Sequence, residues 1–472
     1  MVAGLAVVWS AAVRAQDRPD TLMYDIDVVT YSPAHLSVEA RLTTALPGTV
    51  TLAAPPLELP AGTDVEGLSV TDDAGRPLRV RSSHGAFETD APAGAIRFRY
   101  RLDFQNAVAL GSTGAGLDDS HFYAVSRSVF VAPDPAAYRE AGRAYPLLWV
   151  HIATPPGWHV VTSWGADDGV FVPPDGDALL GATIAAAPDY RVYRDTAGGT
   201  SFLLAIRGER HFGDSTLRQV IAASLRGAAT ALGPVPVPRV TYTSDVGLKG
   251  RTSGSLQGTA SIGLIWEPGE LLERPRVHDL FHETLHLWFG GAMDAARWWI
   301  EGVTDYDAAR LEAEWSGRPD DLAALCYQSL RNYRGIGHDT SMTMDEEAHE
   351  GVLGDNTSLL VYRKGMLVGL LLDAAIRRGS DGQASLDDVA RRLLAQAKEN
   401  RGRRVSEAEI RAAALEMGGV EADRVWRRVV DGTTLITEAE VTDALRVVTG
   451  LPVAAPAPVA KEQKVLIGHP KP

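Results

Sequence analysis

The sequence predicts an α+β chain of more than one domain: an antiparallel β-sandwich or β-saddle first, then a mostly helical domain. Three observations carry this. From Asp20 to about Arg207, apolar and polar residues alternate with the strand period of two. After Pro275 the apolar residues recur at helical spacing behind residues that cap helices. A chain of 472 residues, 45% hydrophobic and 22% charged, is also long enough to fill two or three cores.

The first residues, "MVAGLAVVWSAAVRAQD", read as a secretory signal over 1–15. An apolar run from Val2 to Val13 precedes "VRA", which has small residues where a signal peptidase inspects, although no positive charge leads the run. The expectation is an exported protein, periplasmic or extracellular. No other segment approaches the ~20 apolar residues of a membrane span.

In the β-rich part, 16–207, "HLSVEARL" sets Leu36, Val38, Ala40 and Leu42 on one side. "AIRFRYRLDF" alternates Ile96, Phe98, Tyr100, Leu102 and Phe104 with arginines, as a half-buried strand does. Turn-forming pieces such as "DDAGRP" and "PPDGD" separate the runs.

The second domain is expected over 208–451. "DSTLRQVIAASLRGAATALG" is a capped helix ending in Gly, and "RVTYTS" and "ASIGLIW" are short strands around "DVGLKGRTSGSLQG". "SLDDVARRLLAQAKE", "SEAEIRAAALEMGG" and "EAEVTDALRVV" open with caps and acidic first turns. "MDEEAHEG" reads as a solvated loop, and the Pro- and Ala-rich 452–472 as a disordered tail. The formal charge of −14 argues against nucleic acid or anionic lipid as partners. Cys326, the single cysteine, excludes an internal disulfide and a cysteine metal cage; "LAALCYQSL" reads as a buried helical face.

A metal would therefore need His, Asp and Glu. In "HDLFHETLHLWFGG", His282 and His286 stand four apart on one helix face and can both aim a ring nitrogen at one ion. Glu283 is placed to take a proton from water held there. A catalytic zinc needs a third protein ligand and an open position. Downstream, in "WWIEGVTDY", Glu301 opens a second helix, and Asp305 follows on the same face, where it can accept the second N–H of a zinc-bound histidine. His278 forms another pair with His282 but has no acid at matching spacing, so it reads as supporting or exposed.

"HETLHLWFGG" followed by "WWIEGVTDY" resembles the gluzincin metallopeptidases, whose third ligand is the Glu of an E-G-x-(Ala/Thr)-x-Tyr segment. "VYRKGMLVGLLLDAAIRR" is similar to the Tyr-x-Lys-Gly helix of that clan. "HFYAVSRSVFVAP", "PPGWHVVTSWG" and "VDGTTLITEAEV" are similar to the glycyl aminopeptidase family, and the resemblance spans about Tyr24 to Leu451. It implies a thermolysin-like second domain and one zinc ion per chain on His282, His286 and Glu301. It further implies Glu283 as general base and Tyr362 as hydrogen-bond donor to the oxyanion. Gly254, Ser255, Leu256 and Gln257 fall where the clan's edge strand grips substrate backbone.

Three departures matter. The gap from His286 to the acidic ligand is short, and the usual eighteen-residue count lands on Asp305, which stays open as the third ligand. Gln257 stands where the clan carries the Glu that binds a free α-amine, so an amide replaces a charge. Family members often carry a PDZ domain after the catalytic helices; here about twenty residues follow, which reads as a PDZ-lacking member. The expected function is zinc-dependent peptide hydrolysis, most simply removal of N-terminal residues. An endopeptidase and a degenerate peptide- or partner-binding protein are the alternatives. A serine hydrolase is disfavoured, because there is no G-x-S-x-G elbow. Side-chain preference and oligomeric state are not encoded in these motifs.

Overall fold

The computed structural model describes residues 20–453, apart from 31–33, 45–47, 54–64, 84–85, 104–114, 141, 168–169, 247–252, 258–259, 345 and 401–403. The signal segment, the carboxy-terminal tail and Phe104 therefore lie outside the described residues. Two units are distinguished: Met1–Arg226 with Pro234–Leu287, and Gly227–Gly233 with Trp288–Pro472.

The strands of the first unit follow the alternation. β1 (Thr21–Val29), β2 (His35–Thr44), β3 (Gly94–Asp103) and β4 (Leu147–Ala153) form the middle of a seven-stranded sheet in the order β4-β1-β2-β3. Leu36, Val38, Ala40 and Leu42 pair with Leu102, Tyr100, Phe98 and Ile96, and all eight are buried, while Arg97 and Arg99 stay exposed. Leu52, Phe122, Ala124, Ile184 and Ala186, from two four-stranded sheets, join the same core. This is the expected sandwich, with one correction: β1 and β4 run parallel. A parallel pair needs a long crossover, and the chain between Val29 and Leu147 supplies it.

The same unit holds a mixed five-stranded sheet of β5 (Arg191–Ala197), β6 (Thr200–Ile206), β7 (Arg239–Val246), β8 (Ser253–Gln257) and β9 (Ser261–Trp266). Its order is β5-β6-β7-β9-β8, with β6, β7 and β9 parallel and β8 antiparallel on the edge. The expected domain boundary at 207/208 thus runs between two paired strands of one sheet. α1 (Asp214–Leu232) and α2 (Arg274–Leu285) complete the connections.

In the second unit, α3 (Thr304–Ser316), α4 (Pro319–Arg334), α5 (Glu346–Leu353), α6 (Gly365–Gly379), α7 (Leu386–Glu399), α8 (Glu407–Val425) and α9 (Glu438–Thr449) follow one another. Capping boxes at Ser385, Ser406 and Thr437 satisfy the first amides of α7, α8 and α9, as the sequence suggests. Gly419, at φ +54°, kinks α8. Cys326 is fully buried on α4. "MDEEAHEG" is not a loop: α5 begins within it, and His349 is buried with Nε2 2.9 Å from the Ser341 carbonyl.

One buried charge stands out in the first unit. Asp245, at the end of β7, is 0% exposed, and the Tyr190 hydroxyl lies 2.8 Å from both of its oxygens. Burial pushes the Asp245 carboxyl up to about 6, against the pull of the Tyr190 hydrogen bond and Arg207. A carboxyl raised by folding favours the folded state at low pH, and that contribution is lost as pH rises through the folded value. Unfolding free energy should therefore fall between about pH 4 and pH 6, by up to about 3 kcal/mol from this residue. Urea denaturation of Asp245→Asn across that range should lack this component; a difference from wild type that stays flat with pH would refute the assignment.

Candidate metal centre

The helix carrying the histidine motif is fixed from its far side. Thr284 Oγ1 donates to the Leu280 carbonyl at 2.7 Å and lies 3.0 Å from both the Ser224 hydroxyl of α1 and the Tyr242 hydroxyl of β7. Arg276, in the first turn of α2, donates to the Ile265 carbonyl of β9 at 2.8 Å and stacks over the Trp266 ring at 4.4 Å. Thr284 sits two residues from His282 and His286, so its inward pull turns both imidazoles to the opposite side. His282 is buried; His286, half-buried, is the residue that ends the helix. Their Nε2 atoms stand 3.0 Å apart, close to the roughly 3.3 Å expected of two nitrogens on one tetrahedral zinc. Glu283 follows His282 on the helix and is half-buried.

Glu301 lies on a π-helical turn, Trp298–Val303, that runs directly into α3. Trp298 Nε1 donates to Glu407 at 2.7 Å, and its ring packs edge-on against Trp299 and Trp426. Beside Glu301, Gly302 meets Gly365 backbone to backbone: a β-carbon at 302 would stand 2.4 Å from the Gly365 Cα. One turn on, the Tyr306 ring lies across Gly369, and its hydroxyl donates to Asp373 at 2.6 Å. Gly365 and Gly369 are four apart on α6, so they form one groove for the helix that bears Glu301.

Tyr362 occupies a second π-helical turn, Leu359–Lys364, just before α6. The Glu301 carboxylate is close enough to act on its phenol. Burial, and then the charge of Glu301, pushes the phenol well above its usual value, so it remains a proton-bearing donor at neutral pH.

In the first unit His282 and His286 present two imidazole nitrogens 3.0 Å apart, and in the second Glu301 presents a carboxylate. Two imidazole nitrogens and one carboxylate oxygen suit zinc. The His278 and His282 rings lie with their centroids 6.4 Å apart on α2. Asp305 is buried and accepts from Arg363 Nη1 at 3.2 Å.

Gly254, Ser255, Leu256 and Gln257 are on β8, paired with Leu264, Gly263, Ile262 and Ser261. β8 runs beside α2, and among the described residues no strand pairs with its outer edge. An edge strand can take an added extended segment. Sequence reading did not single out Thr284, the Gly302–Gly365 contact, Tyr306 with Asp373, or Lys364 with Asp339. Only the Gly365-x-x-x-Gly369 spacing signalled any of them.

Two glycine substitutions test the crossing. Gly302→Ala should lower stability by about 2 kcal/mol or more, since backbone would have to separate. Gly227→Ala in α1, where a β-carbon finds only the Leu311 side chain at 3.7 Å, should gain roughly 0.5–1 kcal/mol from helix propensity. Chemical denaturation of both variants reads the contrast, and an undiminished Gly302→Ala would remove the steric argument.

No family model matches the sequence, and no curated protein matches it. Solved structures do. An aminopeptidase N family protein from Idiomarina loihiensis superimposes with a TM-score of 0.74 at 17% identity, over 89% of this chain and 78% of that one. The M1 zinc metallopeptidase of Deinococcus radiodurans gives 0.56 at 16% identity, over 89% and 96%. A mutant of that enzyme bound to a Tyr-Ser-Ala substrate gives 0.58 over the same shares, also at 16%. The chain has the fold of these M1-type zinc metallopeptidases: an amino-terminal β-sheet domain followed by a mostly helical one.

Proposed function

We propose that this protein is a zinc-dependent peptidase of the gluzincin type, most simply an aminopeptidase of the glycyl aminopeptidase family that acts outside the cytoplasm. The observations that carry the reading are the Nε2 atoms of His282 and His286 3.0 Å apart in the first unit and, in the second, the Tyr362 phenol close enough to the Glu301 carboxylate to feel its charge. The Tyr-Ser-Ala substrate held by one similar structure supports a peptide as the substrate class.

His282, His286 and Glu301 would hold one zinc ion, with Asp305 orienting His282. Zinc in such a site acts as a Lewis acid toward a carbonyl and lowers the pKa of water to about 7. Glu283 takes the proton of the attacking water on its carboxylate and returns it to the departing amine, so atoms and charge balance over the cycle. Tyr362 donates its phenolic hydrogen bond to the oxyanion as the carbonyl becomes tetrahedral. The outer edge of β8, last in its sheet among the described residues, aligns the substrate backbone by strand addition. Gln257 offers an amide oxygen, not a carboxylate, to a substrate ammonium. The endopeptidase alternative rests on that residue.

Digestion of a peptide library with free and acetylated N-termini tests the reading. The expected result is stepwise loss of N-terminal residues from free peptides only. Internal cuts in acetylated peptides would instead make the protein an endopeptidase, and no cleavage by zinc-loaded protein would leave a binding protein. Glu283→Gln should lower kcat by roughly 10²–10⁴ while zinc content stays at one per chain. Full activity in that folded variant would eliminate Glu283 as the base. Tyr362→Phe should cost about 10²–10³ in kcat with KM nearly unchanged.

A further inference from the structure

Lys364 ends the π-helical turn that carries Tyr362, and its ammonium is in an unusual place. The side chain is 0% exposed, with Nζ 2.8 Å from Asp339 Oδ1, itself 2% exposed, and 2.6 Å from the Thr340 carbonyl. Asp339 Oδ1 also accepts from the Thr340 amide at 2.7 Å. The next two residues fasten the same segment elsewhere: the Ser341 hydroxyl and Met342 amide donate to the Val430 carbonyl at 2.8 and 2.9 Å. Val430 closes the third π-helical turn, Trp426–Val430.

A buried ion pair is a costly way to hold two segments together, and apolar residues of similar volume often stabilise as well or better. Its advantage is directional. Residues two apart on a turn of this kind point roughly opposite ways, so the Lys364 ammonium pulls on the back of the turn whose front presents Tyr362. A π-helical turn has poorer internal hydrogen bonding than an α-helix and gains from an outside anchor. Burial lowers the Lys364 pKa and Asp339 opposes that shift.

We propose that Lys364 is a positioning residue: clamped by Asp339 and the Thr340 carbonyl, it fixes the turn that aims the Tyr362 hydroxyl at Glu301, and so governs turnover without touching substrate. The inference rests on the peptidase reading for its effect on turnover, but its effect on Tyr362 is observable without activity.

The test places 3-fluorotyrosine at Tyr362 and records its ¹⁹F resonance in wild type, Lys364→Met and the double variant Lys364→Met/Asp339→Leu. Thermal midpoint, zinc content, kcat and KM are measured alongside. Lys364→Met should shift or broaden the resonance and lower kcat by on the order of 10–10²-fold, with KM and zinc content little changed. The double variant removes the unpaired Asp339 charge, so its midpoint should recover while the shifted resonance and lowered kcat persist. If resonance and kcat recover together with the midpoint, or never change, the pair only stabilises and the proposal falls. A wild type without turnover would sink the peptidase reading alone, because the fluorine comparison still decides the role of Lys364.

Discussion

The contact on which the candidate site depends is glycine against glycine. Gly302 follows Glu301 in the chain, and Gly365 lies three residues after Tyr362. Where they touch there is no room for a β-carbon on either one. The separation of two backbones is thereby set by hard atoms, which yield far less than side chains. Tyr306 over Gly369, hydrogen-bonded to Asp373, repeats the contact one turn along and fixes rotation as well as distance. Asp373 in turn accepts from Arg377 and from the Leu386 amide, so the same carboxylate ties α3, α6 and the start of α7. The electrostatic pairing of Tyr362 with Glu301 is a consequence of this frame.

The histidine pair is held by different means. Thr284 couples α2 to α1 and β7 through hydroxyls at 3.0 Å, a buried polar network whose members satisfy one another. Its side chain faces the protein, and the motif positions around it face away. The histidines therefore depend on hydrogen-bond geometry, and the Glu301–Tyr362 pair on steric contact.

How much of this was legible in the sequence follows from the range of each interaction. Alternation along 35–42 and 96–102 gave strand, face and burial together, because a strand with one buried face writes its pattern locally. The caps at Ser385, Ser406 and Thr437 were equally plain, since capping is complete within four residues. The His-Glu-x-x-His face follows from helix period alone, and Glu301 from a segment with its own recognisable pattern. Illegible were contacts that join distant segments. Lys364 and Asp339 are a loop and a helix apart, and the parallel β1–β4 pair spans more than a hundred residues. The acidic "MDEEAHEG" misled for another reason. Charge suggested solvent, yet the residues are good helix formers, and His349 supplies a buried anchor for α5.

Glu301 and Tyr362 both stand on π-helical turns, each of which holds one residue more than an α-helical turn would. Such a turn makes a chain sensitive to length in a way that substitution does not reveal. Removing any single residue between Trp298 and Val303 would let the segment relax into a regular α-helix that is, by itself, the better hydrogen-bonded structure. Every side chain before the deletion would then swing by roughly 100° relative to those after it. The register of the candidate site is in that sense counted in residues as well as shaped by them.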